Sequence, residues 1–97
     1  MITAEHQISP DFQVLLRIHE YNLRDEPVWF SKLAESLNSE MDQRTISIIL
    51  DKADDLCLIE WDWSNIDGLW VRSVRIDEDF EGFIHGLYNS TKEAEAR

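Results

Sequence analysis

Apolar residues recur at helical spacing in three segments of the first half of the chain. The first segment predicts a helix from Pro10 to Leu23, with Ser9 as its N-cap. The second predicts a short helix over Lys32–Leu37, capped by Ser31. A third helix should begin after Asp42, which can cap it. Its predicted buried stripe consists of Ile46, Ile49, Leu50, Ala53 and Leu56.

The apolar period changes to two after Cys57, where tryptophans alternate with carboxylates. This pattern predicts a strand from Ile59, a turn at Asn65–Gly68 and a return strand over Leu69–Ile76. Val28–Trp29, between the first two helices, is predicted to be a short extended piece. A last helix should follow residues 77–79, and its apolar stripe consists of Phe80, Phe83, Ile84, Leu87 and Tyr88.

These elements predict one small domain that is mainly helical and carries an antiparallel β-hairpin, an α+β fold. We divide the chain into an N-terminal extension (1–9), the domain itself (10–76), a C-terminal helix (77–89) and a flexible tail (90–97).

Three stretches of the sequence, residues 31–37, 44–59 and 70–72, resemble winged helix-turn-helix transcriptional regulators of the MarR/ArsR-like superfamily. Residues 31–37, S-K-L-A-E-S-L, resemble the second helix of those regulators. Residues 44–59, from R-T-I-S to L-C-L-I, are similar to their recognition helix and its exit, and Trp70–Arg72 is similar to the return strand of the wing. The resemblance covers residues 10–89 and is nearest to uncharacterised archaeal winged-helix proteins.

Three features depart from the family pattern. The turn from Leu37 to Thr45 is longer than usual, and Cys57 replaces a glycine. If that position is left-handed, cysteine costs ~1 kcal/mol there. Ile48 and Asp51 stand where many DNA-reading relatives carry basic or polar residues.

The resemblance implies binding to double-stranded DNA, with the third helix in the major groove. The residues that would face the bases are Gln43, Arg44, Thr45, Ser47 and Ile48. Arginine can bond guanine twice, glutamine can pair with adenine, and an apolar side chain can touch a thymine methyl group. Lys32, at the start of the second helix, and Arg72, in the wing, would bind phosphates. The alternative is that all seven are ordinary solvent-facing residues, and that the third helix packs against the core without contacting DNA.

The charge of the chain opposes DNA binding. Nine basic residues face twenty acidic ones, a net charge of −11, whereas affinity for nucleic acid depends on cations that displace phosphate counterions. Residues 39–58 hold five acids against two bases, and residues 59–76 hold three against two. An acidic winged-helix module that binds a protein partner, with no direct DNA contact, is therefore the alternative function.

Trp61, Trp63 and Trp70 have two interpretations. They could form a stacking surface for a base or a partner's side chain, or they could supply core and cross-strand area. We expect at least two of the three to supply core and cross-strand area, and no more than one to be exposed. His19 falls on the apolar stripe of the first helix, so we expect a core histidine rather than a ligand.

The stripe of the last helix could close the core or pair two subunits. Five large apolar residues on a short helix favour a homodimer, in which Phe80, Phe83, Ile84, Leu87 and Tyr88 take part.

We expect no enzyme, no cofactor and no metal site. The three histidines lie far apart in sequence, and the three glycines are isolated and form no phosphate loop. A single cysteine forms no internal disulfide, and neither a signal peptide nor a membrane span is recognisable. These features predict a cytoplasmic protein.

Overall fold

The computed structural model describes the backbone of residues 8–96 and the side-chain surroundings of residues 8–93. Most of the predicted N-terminal extension, residues 1–7, therefore lies outside the described residues. The elements, in chain order, are α1 (Pro10–Leu23), α2 (Phe30–Ser36), α3 (Gln43–Asp55), β1 (Ile59–Ile66), β2 (Leu69–Ile76) and α4 (Glu78–Ala96). The predicted order of helices and hairpin, and the α+β class, are confirmed.

Helix α1 has the predicted bounds because both of its ends are encoded locally. The hydroxyl group of Ser9 accepts a hydrogen bond from the amide of Phe12 (3.4 Å), and Pro10 occupies the first turn. At the other end Asp25 adopts a left-handed φ of 56°. The amides of Asp25 and Glu26 then bond back to the last turn, which is the Schellman arrangement.

Helix α2 begins at Phe30, so the prediction that Ser31 caps it is wrong. Trp29 stands at the N-cap position in an extended conformation and provides no side-chain cap. It does so because it forms an antiparallel bridge with Ser73 of β2, and the chain enters the helix directly from that bridge. The bridge also confirms the short extended piece predicted at Val28–Trp29.

Helix α3 buries its predicted stripe except at its end. Ile46, Ile49, Leu50 and Ala53 are buried, but Leu56 is 62% exposed. The prediction for Leu56 is wrong because α3 ends at Asp55. Leu56 is the C-cap and Cys57 turns the chain with a φ of 60°, which is the left-handed conformation that the glycine of the resembled family would adopt.

The β1–β2 hairpin pairs in a single register from Ile59↔Ile76 to Ile66↔Leu69. Asp67 and Gly68 form the turn with φ values of 53° and 89°, as the tight turn of a right-twisted ribbon requires. Only the end of the ribbon away from the turn reaches the core, where Ile59, Val74 and Ile76 are buried.

Helix α4 continues to Ala96, beyond the end predicted at residue 89, so residues 90–96 are helical instead of a flexible tail. The core draws one or more fully buried side chains from every helix and from β2: Ile18, Leu33, Ile46, Val74 and Ile84. The side-chain oxygen of Asn22 accepts a hydrogen bond from the amide of Ile76 (3.0 Å) and so joins α1 to β2.

Candidate nucleic-acid interface

The start of α3 is held by Asp42. A carboxylate oxygen of Asp42 accepts a hydrogen bond from the amide of Thr45 (2.8 Å), as an N-cap does. This bond keeps the pKa of Asp42 below its usual value, since it stabilises the ionised carboxylate. The cap and the buried side chains of Ile46, Ile49 and Leu50 together fix the rotation of α3 about its axis.

That rotation leaves the N-terminal half of α3 open to solvent. Gln43, Arg44, Ser47 and Ile48 are exposed, whereas Thr45 is half-buried. Ile48 has 56% of its surface in solvent although it is strongly apolar. Four of the five residues predicted to face DNA on this helix are therefore accessible to a partner, and Thr45 is less so.

Lys32 is engaged within the chain. Its ammonium group donates to Glu26 (2.8 Å) and to the carbonyl oxygen of Pro27 (3.0 Å), and it lies over the rings of Tyr21 and Trp29. Its hydrogen bond to Glu26, with a further one from Arg24, lowers the pKa of the Glu26 carboxyl group. A phosphate contact from Lys32 would require it to leave these partners.

The β1–β2 hairpin, which is the predicted wing, carries an aromatic surface that is more exposed than the sequence predicts. Cross-strand partners share a face, so Trp61, Trp63, Arg72 and Trp70 lie on one side of the ribbon. Trp61 packs against the core, but Trp63 and Trp70 are 62% and 66% exposed. Two of the three are therefore exposed, and the expectation that no more than one would be is wrong. The hairpin extends beyond the helices. Trp63 and Trp70, which follow Trp61 on the same face toward the turn, are therefore not covered by a helix.

Arg72 stacks on this surface. Its guanidinium group lies 4.4 Å from the centre of the Trp61 ring, a cation–π contact that orients the arginine along the ribbon. Arg75 projects from the other face, where it pairs with Glu60 (3.3 Å).

Ion pairs separate the cations of the chain into two groups. Lys52 pairs with Asp11, Arg17 and Lys92 with Glu20, and Arg24 and Lys32 with Glu26. Among residues 8–96, Arg44 and Arg72 are the lysines or arginines that take part in no ion pair. One lies on α3 and the other in the wing, which are the two elements predicted to contact DNA.

The apolar stripe of α4 lies mainly inside the chain. Ile84 is fully buried and Phe80 packs against the core, while Leu87 and Tyr88 are half-buried. Phe83 is 58% exposed, and its ring centre lies 6.1 Å from that of Phe12 on α1. Of the five residues predicted at a dimer interface, Ile84 is thus committed to the core of its own subunit, and Phe83 is the most accessible.

Sequence reasoning missed a histidine pair. His19 is fully buried, as expected of a core histidine, but its Nε2 lies 3.0 Å from Nδ1 of His85 on α4. Both residues fall on predicted helices, but no sequence signal shows that the two side chains meet. In the part of the chain that the structure describes, no group of three potential metal-ligating side chains is found.

Comparisons with protein families, with curated proteins and with solved structures found no match to this chain. Within residues 8–96 no helix combines the length and the apolar composition that a membrane crossing needs. The case for a function therefore depends on the geometry of α3 and the wing.

Proposed function

We propose that this chain is a winged-helix DNA-binding transcriptional regulator, in which α3 enters the major groove and the β1–β2 hairpin contacts the DNA backbone. The observation that carries the proposal is the position of its unpaired cations. Arg44 on α3 and Arg72 in the predicted wing form no ion pair within 4.0 Å among the described residues, although acids outnumber bases by about two to one.

The exposed face of α3 supports direct reading of bases. Arg44 can donate two hydrogen bonds to guanine, Gln43 can pair with adenine, and Ile48 can contact a thymine methyl group. The hydroxyl group of Ser47 can donate a hydrogen bond to a base edge or accept one from it. The burial of the opposite face fixes the rotation of the helix and so keeps these side chains on one accessible face, as specific recognition requires.

Few phosphate contacts are available, and this has a measurable consequence. Arg72 is the one cation per subunit that this proposal assigns to a phosphate, which gives a slope of log K against log salt of about −1 for a monomer and about −2 for a homodimer, at about 0.9 per neutralised phosphate. The proposed dimer would use the accessible part of the α4 stripe, around Phe83. The apparent affinity of the protein for DNA should then depend strongly on protein concentration, because dimerisation precedes binding, as well as on salt.

A second candidate function is favoured by the wing. Trp63, Leu69 and Trp70 expose 62–71% of their surface on a chain with a net charge of −11. Exposed tryptophans are typical anchors of protein interfaces. The alternative is therefore an acidic interaction module that binds a protein partner through the wing and does not bind DNA.

Fluorescence anisotropy with labelled duplexes tests the first proposal. A duplex selected from a random-sequence pool and an unrelated duplex are titrated between about 20 and 200 mM salt, where electrostatic contacts weaken progressively. Arg44→Ala should weaken binding to the selected duplex by about 1–3 kcal/mol, and binding to the unrelated duplex much less. Arg72→Ala should weaken both duplexes alike, because a phosphate contact carries no sequence information.

Arg75→Ala is the matched control, since it removes an arginine from the opposite face of the same ribbon and should leave affinity unchanged. Absence of binding at the lowest salt rejects the regulator. The interaction module then predicts that a partner protein retained by the wild type is lost from the double variant Trp63→Ser/Trp70→Ser.

A further inference from the structure

Two histidines connect the first helix, α1, to the last, α4. His19 lies in the second half of α1 with no exposed surface, and its Nε2 is 3.0 Å from Nδ1 of His85 on α4. The two rings meet edge to face at 5.2 Å, and the ring of Tyr88 packs on His19 at 5.6 Å. This contact closes α4 onto α1 one residue after Ile84, which is fully buried.

In the hydrogen bond between the rings, one of the two nitrogens, Nε2 of His19 or Nδ1 of His85, carries a proton and donates it, and the other accepts. Nδ1 of His19 is buried and has no hydrogen-bond partner among the described residues. If Nδ1 carried the proton, a buried N–H group would lack an acceptor, which is costly. The favourable arrangement is therefore a neutral His19 whose Nε2–H donates to a bare Nδ1 of His85.

Protonation of either ring conflicts with that arrangement. A cationic His85 carries a proton on Nδ1 and can only donate to Nε2 of His19, which must then hold its own proton on the buried and unpartnered Nδ1. A cationic His19 carries a buried N–H at Nδ1 without an acceptor. Both cases also place positive charge beside a second titratable imidazole. One added proton is therefore accommodated only with an unpaired buried N–H group, and two protons remove the hydrogen bond between the rings.

The charged groups around His19 come from both helices. Burial is the largest influence and lowers its pKa from the usual value of 6.5, and a charged His85 lowers it further. Glu81 on α4 and Glu20 on α1 act in the opposite direction. Helix α3 and β2 also pack against α1, and among the described residues the charges that act on the ring are those of Glu20, Glu81 and His85.

We propose that His19 and His85 form a pH-sensitive clasp, which holds the second half of α4 on α1 at neutral pH and releases it on acidification. Phe80 and Ile84 keep the first half of α4 on the core at either pH, so release begins at His85. The closed state takes up fewer protons than the open state. Closure is therefore favoured above pH 6.5 and is weakened as pH falls below that value.

Amide hydrogen exchange measured by NMR on the whole chain tests the clasp. Protection of residues 86–92, corrected for the intrinsic exchange rate, is compared at pH 7.5 and 5.5. One proton taken up on opening lowers protection by up to about tenfold over this interval, whereas ordinary carboxylates stay ionised. His85→Gln, at an exposed position, supplies an amide that can accept from His19 in either protonation state, so its pH response should be smaller.

His6→Gln removes the third histidine and is the matched control, with the full wild-type response expected. Unchanged protection in the wild type overturns the clasp. So does a full response in His85→Gln, because burial of His19 alone would then be the cause, or loss of the response in His6→Gln.

Discussion

Cys57 offers a direct test of how the chain leaves α3. The residue is exposed and adopts a φ of 60°, a conformation that costs an L-residue about 1–2 kcal/mol. It is held there by two bonds of a Schellman motif. The Cys57 amide donates to the carbonyl oxygen of Asp54 (3.0 Å), and the Leu58 amide donates to that of Ala53 (2.9 Å).

Cys57→Gly removes the β-carbon and with it the strain. Glycine also increases the conformational entropy of the unfolded chain, which offsets about 0.4–1 kcal/mol of this stabilisation. The reference variant is Cys57→Ala, which keeps the β-carbon and removes only an exposed thiol. We expect the glycine variant to be more stable than the alanine variant by about 0.5–1 kcal/mol, or about 2–8 °C in Tm.

Urea unfolding at pH 7, followed by tryptophan fluorescence, measures this difference. Asp54→Gly compared with Asp54→Ala is the control, because Asp54 lies within α3 and glycine there should cost about 1 kcal/mol relative to alanine. The two glycine substitutions, three residues apart, should act in opposite directions. If Cys57→Gly is no more stable than Cys57→Ala, the left-handed exit from α3 is refuted.

Three further substitutions test the contacts that fix the fold. Asn22→Ala should lower the free energy of unfolding by about 1–3 kcal/mol, because the Ile76 amide loses its acceptor; Asn22→Asp, which keeps an oxygen there, should cost less. Asp42→Ala should lower Tm at pH 7, and its deficit should shrink as pH falls below 3.8, since the depressed pKa of Asp42 stabilises the fold only while the group is ionised. Ile84→Ala should cost about 2–5 kcal/mol in urea unfolding by leaving a core cavity, and Phe83→Ala, at an exposed position, much less.

Predictions from the sequence succeeded where the determinant lies within a few residues. Ser9 and Asp42 were identified as N-caps because a cap bonds an amide three residues away. The Asp67–Gly68 turn was predicted because few residue types accept positive φ. The bounds of α1 and the start of the hairpin follow from the same local chemistry.

Predictions failed where the outcome depends on what lies opposite a residue. Ser31 is not a cap because Trp29, two residues earlier, is held by a bridge to β2. The alternation that correctly predicted a strand implied a buried face along its whole length, but no helix covers Trp63 and Trp70. The same holds for the candidate site. Lys32 was predicted to bind a phosphate because its ion pair with Glu26 depends on tertiary contacts and cannot be predicted from the sequence pattern.

The sequence by itself determined the elements of this protein, namely four helices and a hairpin, because caps, turns and apolar periods act over a single helical turn or strand pair. Only the tertiary structure decided which cations stay unpaired, which tryptophans face solvent and that His19 meets His85, 66 positions away. These features depend on how elements are placed against one another. That placement is set by packing among all of them together, and no local stretch of sequence contains it.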